Sequence, residues 1–231
     1  MFQAFLDRSA TLLPQAALGH IGWLRGAVGA TIAIGCSALL TRLLLGQNSA
    51  DLPWLVAPLG ASAVLVFAVP ASPLAQPWPV IGGNLLSALI GLGLGAYLGS
   101  PWLAASLAVG LAIACMSLAR CLHPPGGASA LLCALGASGP EMWSWPHLVP
   151  IATNVVMLAV AGWAYNNATG HHWPHRAGPA LLEPVTPAGN HTREDIEHLL
   201  REWDEVLDVD VDDLDAFYRE LNRRISLRSR S

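Results

Sequence analysis

The chain has 231 residues, of which 53% are hydrophobic and only 12% charged, with a net charge of −4 and a mean hydropathy of +0.46. Soluble domains are about a quarter charged. The charges are also unevenly placed, since residues 1–182 hold 8 of the 28 and residues 183–231 hold the other 20. This excludes a soluble single-domain enzyme, a disordered chain and a basic nucleic-acid binder. It predicts an integral membrane domain followed by a short charged segment.

Six apolar segments follow one another along the first part of the chain. A helix needs about 20 apolar residues to span a bilayer, and Pro, Gly and Trp mark the segment ends, as is typical of membrane boundaries. The segments are Trp23–Gly46, Pro53–Pro70, Val80–Gly99, Pro101–Arg120, Pro124–Gly139 and His147–Tyr165. We predict an all-α, polytopic membrane helical bundle, in which the two short segments, 53–70 and 124–139, either span or re-enter.

The arginines indicate the orientation of this bundle. Arg8 and Arg25 precede the first segment, Arg120 ends the fourth and Arg176 follows the sixth, so six crossings place all four on one side. The positive-inside rule makes that side cytoplasmic, with both termini. Arg42 fits this orientation only if it faces the protein interior. Arg120 is either a snorkelling anchor or an anion attractor at the mouth of a site.

Three regions flank or follow the apolar domain, which is predicted over residues 21–168. Residues 1–20 are predicted to be an amphipathic lead-in without the cleavage site of a signal peptide, and residues 169–190 a Pro- and His-rich linker. Residues 191–231 predict a short, acidic, cytoplasmic helical hairpin. Its two helices are expected over residues 192–207 and 210–224.

Two stretches of the apolar domain match each other. PLGASAVL at 58–65 matches PGGASALL at 125–132, which lies 67 residues further on. Each copy follows an apolar helix ending in arginine and precedes a helix with an early asparagine, Asn84 or Asn154. If each unit crosses three times, the second must be inverted relative to the first, as in transporters that bind substrate between inverted repeats. The alternative is coincidence in a sequence rich in Ala and Gly.

Both copies of this motif have the composition of an anion-binding helix end. A proline at the first helical position and small residues after it expose backbone N–H groups, and the helix dipole favours negative charge there. Glycine lets a ligand approach the main chain, and serine and asparagine add donors. The candidate substrate-binding residues are Gly60, Ala61, Ser62, Asn84, His123, Gly126, Gly127, Ala128, Ser129 and Asn154. The alternative is that the small residues only allow close helix packing.

Other patterns give little indication of chemistry. His123, an ionisable residue in the membrane domain, is either a donor or proton carrier at the site or a plain helix cap. The histidines of 171–175 lack an acidic or cysteine partner, the four cysteines lack CxxC spacing, and no nucleophile–base pair or phosphate loop is present. We therefore expect no catalytic residue, no metal, no cofactor and no enzymatic activity.

The tripeptide His123-Pro124-Pro125, the GGASA after it and APLGASAVLVF at 57–67 carry a resemblance to a known family. Over residues 20–170 the sequence resembles the HPP family of integral membrane proteins. The resemblance implies a bacterial inner (plasma) membrane protein and nitrite transport, in which chloroplast and cyanobacterial members are implicated. The region from Thr192 resembles the linker to a CBS pair in longer bacterial members. Since the chain stops before such a pair, regulation by an adenosine nucleotide is not expected.

Two functions are compatible with these features. The first is a transporter or channel for a small inorganic anion, nitrite first, bound at the N-termini of broken helices. The second is a non-transporting membrane scaffold or sensor whose residues 191–231 recruit a cytoplasmic partner. One water-accessible cavity shared by Ser62, Ser129, Asn84 and Asn154 favours transport, whereas hydrogen bonds between helices favour the scaffold. The expected partners are the lipid bilayer and the anion, without nucleic acid, and a homo-oligomer is compatible with both functions.

Overall fold

The computed structural model describes residues 22–46, 52–175, 192, 214 and 217–223. The chain divides into two compact units, residues 1–175 and 176–231. In the second unit, the described residues 217–223 are helical, within the second helix predicted for the hairpin, and Arg223 forms a 2.8 Å ion pair with Glu220. The predicted lead-in, most of the predicted linker and the first helix of the hairpin lie outside the described residues.

The described part of the first unit is helical, with one α-helix in each predicted apolar segment. The helices are α1 (Gly22–Leu45), α2 (Pro58–Ala68), α3 (Asn84–Leu98), α4 (Pro101–Leu118), α5 (Pro124–Ser138) and α6 (Leu148–Ala168). Short turns of 3-10 type lie at Pro73–Ala75 and Trp145–His147, and a π-helical turn, Pro79–Gly83, leads directly into α3. The predicted all-α class is therefore confirmed.

In the described part of the chain, four stretches are long enough and apolar enough to cross a membrane. They are Trp23–Leu45, Pro79–Leu98, Pro101–Leu118 and Trp145–Ala168. Helices α2 and α5 have 11 and 15 residues. At 1.5 Å per residue they are about 16 and 22 Å long, whereas the hydrocarbon core of a bilayer is about 30 Å thick. Helices α2 and α5 are thus shorter than a full span.

Proline and glycine set several of these helix boundaries. Pro58, Pro101 and Pro124 each occupy the first position of their helix, where a missing N–H costs no hydrogen bond. Helix α3 ends at Gly99, whose φ of 60° is left-handed and so favours glycine. The sequence therefore places the starts of α4 and α5 correctly, because it marks them with a residue of fixed φ, whereas the second segment, predicted from Pro53, becomes helical only at Pro58.

Helices α3, α4 and α5 pack together as one group, in which α3 and α5 make the closest contact. A Cβ atom at Gly83 would lie 2.6 Å from the Cβ of His123, and one at Gly95 would lie 2.5 Å from the carbonyl oxygen of Ala134. The residue before α3 thus lies against the residue before α5, and a later position of α3 lies against a later position of α5. The two helices therefore run in the same direction. Trp78, just before α3, donates to the carbonyl of Ala119 just after α4, so that α4 runs opposite to α3.

Helices α1, α2 and α6 form the second group. Arg25 near the start of α1 contacts Phe67 at the end of α2 and Asn166 at the end of α6. Thr41 near the end of α1 instead contacts Asn154 near the start of α6. Helix α1 is therefore antiparallel to both α2 and α6. Helices α1–α3 and α4–α6 are the two halves of the domain in sequence. Each group thus combines two helices of one half with the third helix of the other.

The compact unit continues past the last helix. The Trp173 side chain is 2% exposed within the hydrophobic core, and its Nε1 donates to the carbonyl of Ala75 at 3.1 Å. This residue belongs by sequence to the predicted linker, which begins at 169, and the unit extends to His175. Arg42 is exposed, so it does not face the interior as the orientation drawn from the arginines required.

Candidate functional site

A group of four buried polar side chains lies where α2, α3 and α5 meet. We call Ser62, Asn84, His123 and Ser129 the polar cluster; they are 0%, 1%, 0% and 3% exposed. Ser62 lies in the second turn of α2 and Asn84 begins α3. His123 is the N-cap residue of α5, and Ser129 lies in the second turn of that helix. All four are predicted site residues, and the structure brings them into direct contact.

Hydrogen bonds connect the cluster into one chain. The Asn84 amide donates from Nδ2 to the Ser62 hydroxyl at 3.1 Å, and its Oδ1 accepts from the Ser129 hydroxyl at 2.6 Å. The Ser62 hydroxyl is 2.9 Å from Nε2 of His123, and Nδ1 of His123 is 2.8 Å from the carbonyl oxygen of Leu74. Asn84 Nδ2 also donates to Val80 at 2.9 Å.

The directions of these bonds follow from chemistry. A carbonyl oxygen only accepts, so Nδ1 of His123 carries the hydrogen that is donated to Leu74. In a neutral imidazole Nε2 is then an acceptor, and it receives the hydroxyl hydrogen of Ser62. Ser62 in turn accepts from Asn84, so each group of the chain has a partner of the right kind. With a neutral His123 ring, the cluster is therefore a satisfied network in a buried place, as buried polar groups require.

Two short helices bring their N-terminal turns together at this cluster. The 2.9 Å contact between Ser62 and His123 joins the second turn of α2 to the cap of α5. The N-terminal end of each helix carries about half a positive charge. Among the described residues of the first unit Glu141 is the only acid; it follows the opposite end of α5 and its carboxylate accepts from Trp143. No described carboxylate balances the two helix ends.

Several predicted site residues lie outside the cluster. Gly60, Ala61 and Ala128 are exposed on the outer faces of their helices, and Gly127 is half-buried with no atom near its Cβ position. The predicted open N–H groups are wrong for Gly60 and Gly126, because their amides donate to carbonyl oxygens three residues earlier, at 3.1 and 2.8 Å.

The role of Gly126 is close packing. A Cβ atom there would lie 2.9 Å from the carbonyl oxygen of Gly83, from the sulfur of Met116 and from Oγ of Ser87. The alternative interpretation of small residues as packing positions therefore applies to Gly126.

Asn154 belongs to a different place in the molecule. It donates from Nδ2 to Thr41 at 2.7 Å and to the carbonyl of Trp54 at 3.1 Å, and it accepts from the Val56 amide at 3.1 Å. These bonds fix the segment before α2 against α1 and α6. The shift of 67 residues relates Asn154 to Ser87, not to Asn84. The prediction that Asn154 shares one site with Asn84 is therefore wrong.

The far end of α2 is held by residues that were not predicted. Arg25 donates to the carbonyl of Phe67 and to Oδ1 of Asn166, both at 2.9 Å, and Asn166 donates to the carbonyl of Val66 at 2.9 Å. A cation at the C-terminal end of a helix is stabilised by the negative end of its dipole. Helix α2 therefore has an arginine at one end and His123 at the other. A hydrophilic residue near the start of the first apolar segment and another just after the end of the sixth are the only sequence signal for this contact.

The cluster is closed to solvent. Two cavities lie on the surface of the first unit, one of about 240 Å³ beside Glu141 and Trp143 and one of about 470 Å³ beside Leu94 and Gly110. Neither is lined by a residue of the cluster. Among the described residues no group of His, Cys, Asp and Glu could hold a metal ion, the region 171–175 included. Arg120 is exposed.

Apolar helices around a buried polar cluster define a polytopic helical membrane protein. A family model described as "HPP, transmembrane region" matches residues 15–174, and the chain belongs to that family. The resemblance carried by His123-Pro124-Pro125 is thereby confirmed.

Two curated relatives are transmembrane proteins of Dictyostelium discoideum. One is 37% identical over 157 residues, which cover 65% of this chain and 53% of the relative. The other is 33% identical over 157 residues, covering 66% of this chain and 49% of the relative. The chain thus spans about half the length of these relatives. No solved structure shows a significant match to it.

Proposed function

We propose that this protein carries a small inorganic anion across the membrane, with nitrite as the first candidate, and that the polar cluster is its binding site in a closed state. The observation that carries the proposal is the meeting of two helix N-termini at Ser62 and His123, 2.9 Å apart, in a buried place. Two positive helix ends repel each other, and a bound anion would remove that repulsion.

The cluster has the donors that a small anion requires. Successive contacts of 2.6–3.1 Å join the Ser129 hydroxyl, the Asn84 amide, the Ser62 hydroxyl and the His123 ring, in that order. In the closed state these donors serve each other. An anion entering between α2 and α5 would exchange these neutral hydrogen bonds for charge-assisted ones, which are about twice as strong. Selection for a small ion follows from the limited space between the two helices.

The helix directions support an inverted-repeat architecture. Helices α1, α3 and α5 run one way and α2, α4 and α6 the other, because α1 is antiparallel to α2 and α6, α3 is parallel to α5, and α4 is antiparallel to α3. The bond from Trp173, after α6, to Ala75, before α3, connects the two sets. We infer that helices α4–α6 repeat the arrangement of helices α1–α3 turned over. The domain then has six membrane segments, and both of its ends lie on one side of the membrane. Substrate sites between such units are common in transporters.

Flux through purified protein tests the proposal. The full chain in proteoliposomes should show saturable uptake of nitrite or nitrate above protein-free liposomes. Ser129→Ala should lower this flux at least about tenfold, since a hydrogen bond to a charged ligand contributes roughly 1.5–3 kcal/mol. Ser106→Ala is the matched control, because Ser106 is exposed and bonds only to Trp102 of its own helix. The absence of saturable, protein-dependent flux for any small inorganic anion would overturn the proposal.

One observation favours the alternative of a membrane scaffold. Each hydrogen bond between cluster residues joins two different helices or a helix and the cap of another, and Asn154 likewise joins α6 to α1. Such bonds stabilise a fixed bundle. If the scaffold is correct, Ser129→Ala lowers the melting temperature and the wild type shows no flux. In that case residues 191–231 should bind a cytoplasmic partner when the full chain is used as bait.

A further inference from the structure

We propose that His123 takes up one proton with each anion, so that the protein is an electroneutral proton–anion symporter. This inference rests on the proposed anion site and adds the coupling ion and the residue that carries it. It depends on the hydrogen-bonding options of Ser62 and His123, which accommodate both charge states of the imidazole.

The neutral state is the chain of bonds described above. Nδ1 of His123 donates to Leu74, and the Ser62 hydroxyl donates to Nε2 at 2.9 Å. Protonation of Nε2 turns that acceptor into a donor, so the hydroxyl hydrogen of Ser62 must find another acceptor. The carbonyl oxygen of Pro58, one turn earlier in α2, lies 3.3 Å from the same hydroxyl. Rotation of the Ser62 hydroxyl hydrogen from Nε2 to this carbonyl oxygen therefore suffices to accommodate the protonated ring.

After that rotation every partner is still satisfied. The Ser62 oxygen accepts from Asn84 at 3.1 Å and from Nε2 of His123 at 2.9 Å, which uses its two lone pairs. Nδ1 continues to donate to Leu74 at 2.8 Å. The cluster thus accepts a proton without the loss of a heavy-atom contact.

The charge that comes with the proton has no partner in the described surroundings. Helix α2 and the turns Pro73–Ala75 and Pro79–Gly83 contain no titratable side chain. The titratable groups on the neighbouring helices and loop are the exposed Tyr97, the thiols of Cys115, Cys121 and Cys133, and the exposed Arg120. None of these is a carboxylate. A buried imidazolium is costly without a counter-charge, and so is a buried anion.

Each charge therefore favours the binding of the other. A proton on His123 and an anion at the adjacent helix ends form a neutral pair, and the coupling is reciprocal by linkage. The bond formed is N–H at Nε2 on the side of uptake, and the same bond breaks on the side of release. One proton and one monovalent anion move together, so no net charge crosses.

The ring also has suitable neighbours on its two edges. Nδ1 points to Leu74, which is half-buried in the turn Pro73–Ala75 between α2 and α3. Nε2 points to Ser62 in the interior. Nδ1 therefore keeps its hydrogen in both charge states, and the proton is gained and lost at Nε2, the edge of the ring that faces the proposed anion site.

The test uses the full chain in proteoliposomes with the membrane potential clamped by potassium and valinomycin, and it follows both anion uptake and internal pH. Nitrate is the main probe, because nitrous acid crosses lipid unaided; nitrite is measured in parallel against protein-free liposomes. A proton gradient directed inward, with the outside more acidic, should drive nitrate uptake that rises up to about tenfold per pH unit. One proton should enter with each nitrate, and the membrane potential should have no effect on the flux. Nitrate flux that ignores the pH gradient and follows the potential overturns the coupling but leaves anion transport intact. The absence of any anion flux overturns both proposals.

Variants assign the proton to the residue. His123→Gln and His123→Asn keep hydrogen-bonding atoms near Nε2 and Nδ1, respectively, but cannot be protonated. Whichever of them folds should lose the dependence on pH gradient and the accompanying proton movement. His147→Gln is the matched control, since His147 is 7% exposed and bonds only to Ser144 in its own turn. Unchanged proton movement in a folded His123 variant would overturn the assignment.

Discussion

The contact between α3 and α5 gives a sharp test of the fold that holds the polar cluster. A Cβ atom at Gly95 would lie 2.5 Å from the carbonyl oxygen of Ala134 and 2.7 Å from the Cβ of Ala137. Ordinary contacts begin near 3.4 Å, and both neighbours belong to a helix that cannot rotate away. Gly95→Ala must therefore separate α3 from α5 by up to about 1 Å, and overpacking of this kind costs roughly 1–3 kcal/mol.

Gly93 provides a matched control in the same helix. No atom lies within 4 Å of a Cβ at Gly93, so Gly93→Ala adds only the better helix propensity of alanine, up to about 1 kcal/mol. Thermal unfolding of each purified variant in detergent, followed by far-ultraviolet circular dichroism, measures the difference. Gly95→Ala should melt roughly 2–12 °C below Gly93→Ala, because both gain the helix propensity of alanine and only Gly95→Ala is overpacked, and Gly93→Ala should melt at or above the wild type. Equal melting temperatures for the two variants would refute the close packing of α3 on α5.

Two more predictions concern contacts at the ends of the helices. Arg25→Gln removes the charged bonds to the end of α2 and should destabilise the protein by roughly 1.5–3 kcal/mol in the same unfolding assay, and a smaller loss than 0.5 kcal/mol would contradict the contact. Trp173→Phe keeps an aromatic ring but loses the bond to Ala75, at a cost of about 1 kcal/mol. Trp173→Ala should cost roughly 3–5 kcal/mol, and equal stability of these two variants would show that Trp173 is not in the core.

The helices could be predicted from the sequence because a bilayer imposes a simple rule of length and hydropathy. Prolines such as Pro101 and Pro124 also mark helix starts in a way that needs no knowledge of neighbours. Trp173 was assigned to a linker because the residues around it are prolines and histidines. Its burial depends on the turn at Ala75, nearly a hundred residues away, and local composition carries no such information.

The site was predictable in part for the same kind of reason. Ser62 and Ser129 occur in a repeated motif, and the motif itself indicates two similar helix ends. The prediction that Asn154 joins them is wrong, because a helix that is apolar on every face gives no sequence signal for which face turns toward which neighbouring helix. From the sequence Arg25 is interpretable only as a topology marker, since an arginine at the start of a membrane segment has the same appearance whether it faces lipid headgroups or the end of a neighbouring helix.

The exchange of third helices between the two groups has a consequence for biosynthesis. Helix α3 is made with α1 and α2 but packs against α4 and α5, and α6 is made with α4 and α5 but packs against α1 and α2. During translation α1 and α2 are therefore made before α6, the third helix of their group, and they lack its contacts until it emerges. Chains released before residue 148 would leave one face of α1 and α2 open to lipid or to other proteins. Quality-control proteases that survey the bilayer would be expected to find truncated forms at that face.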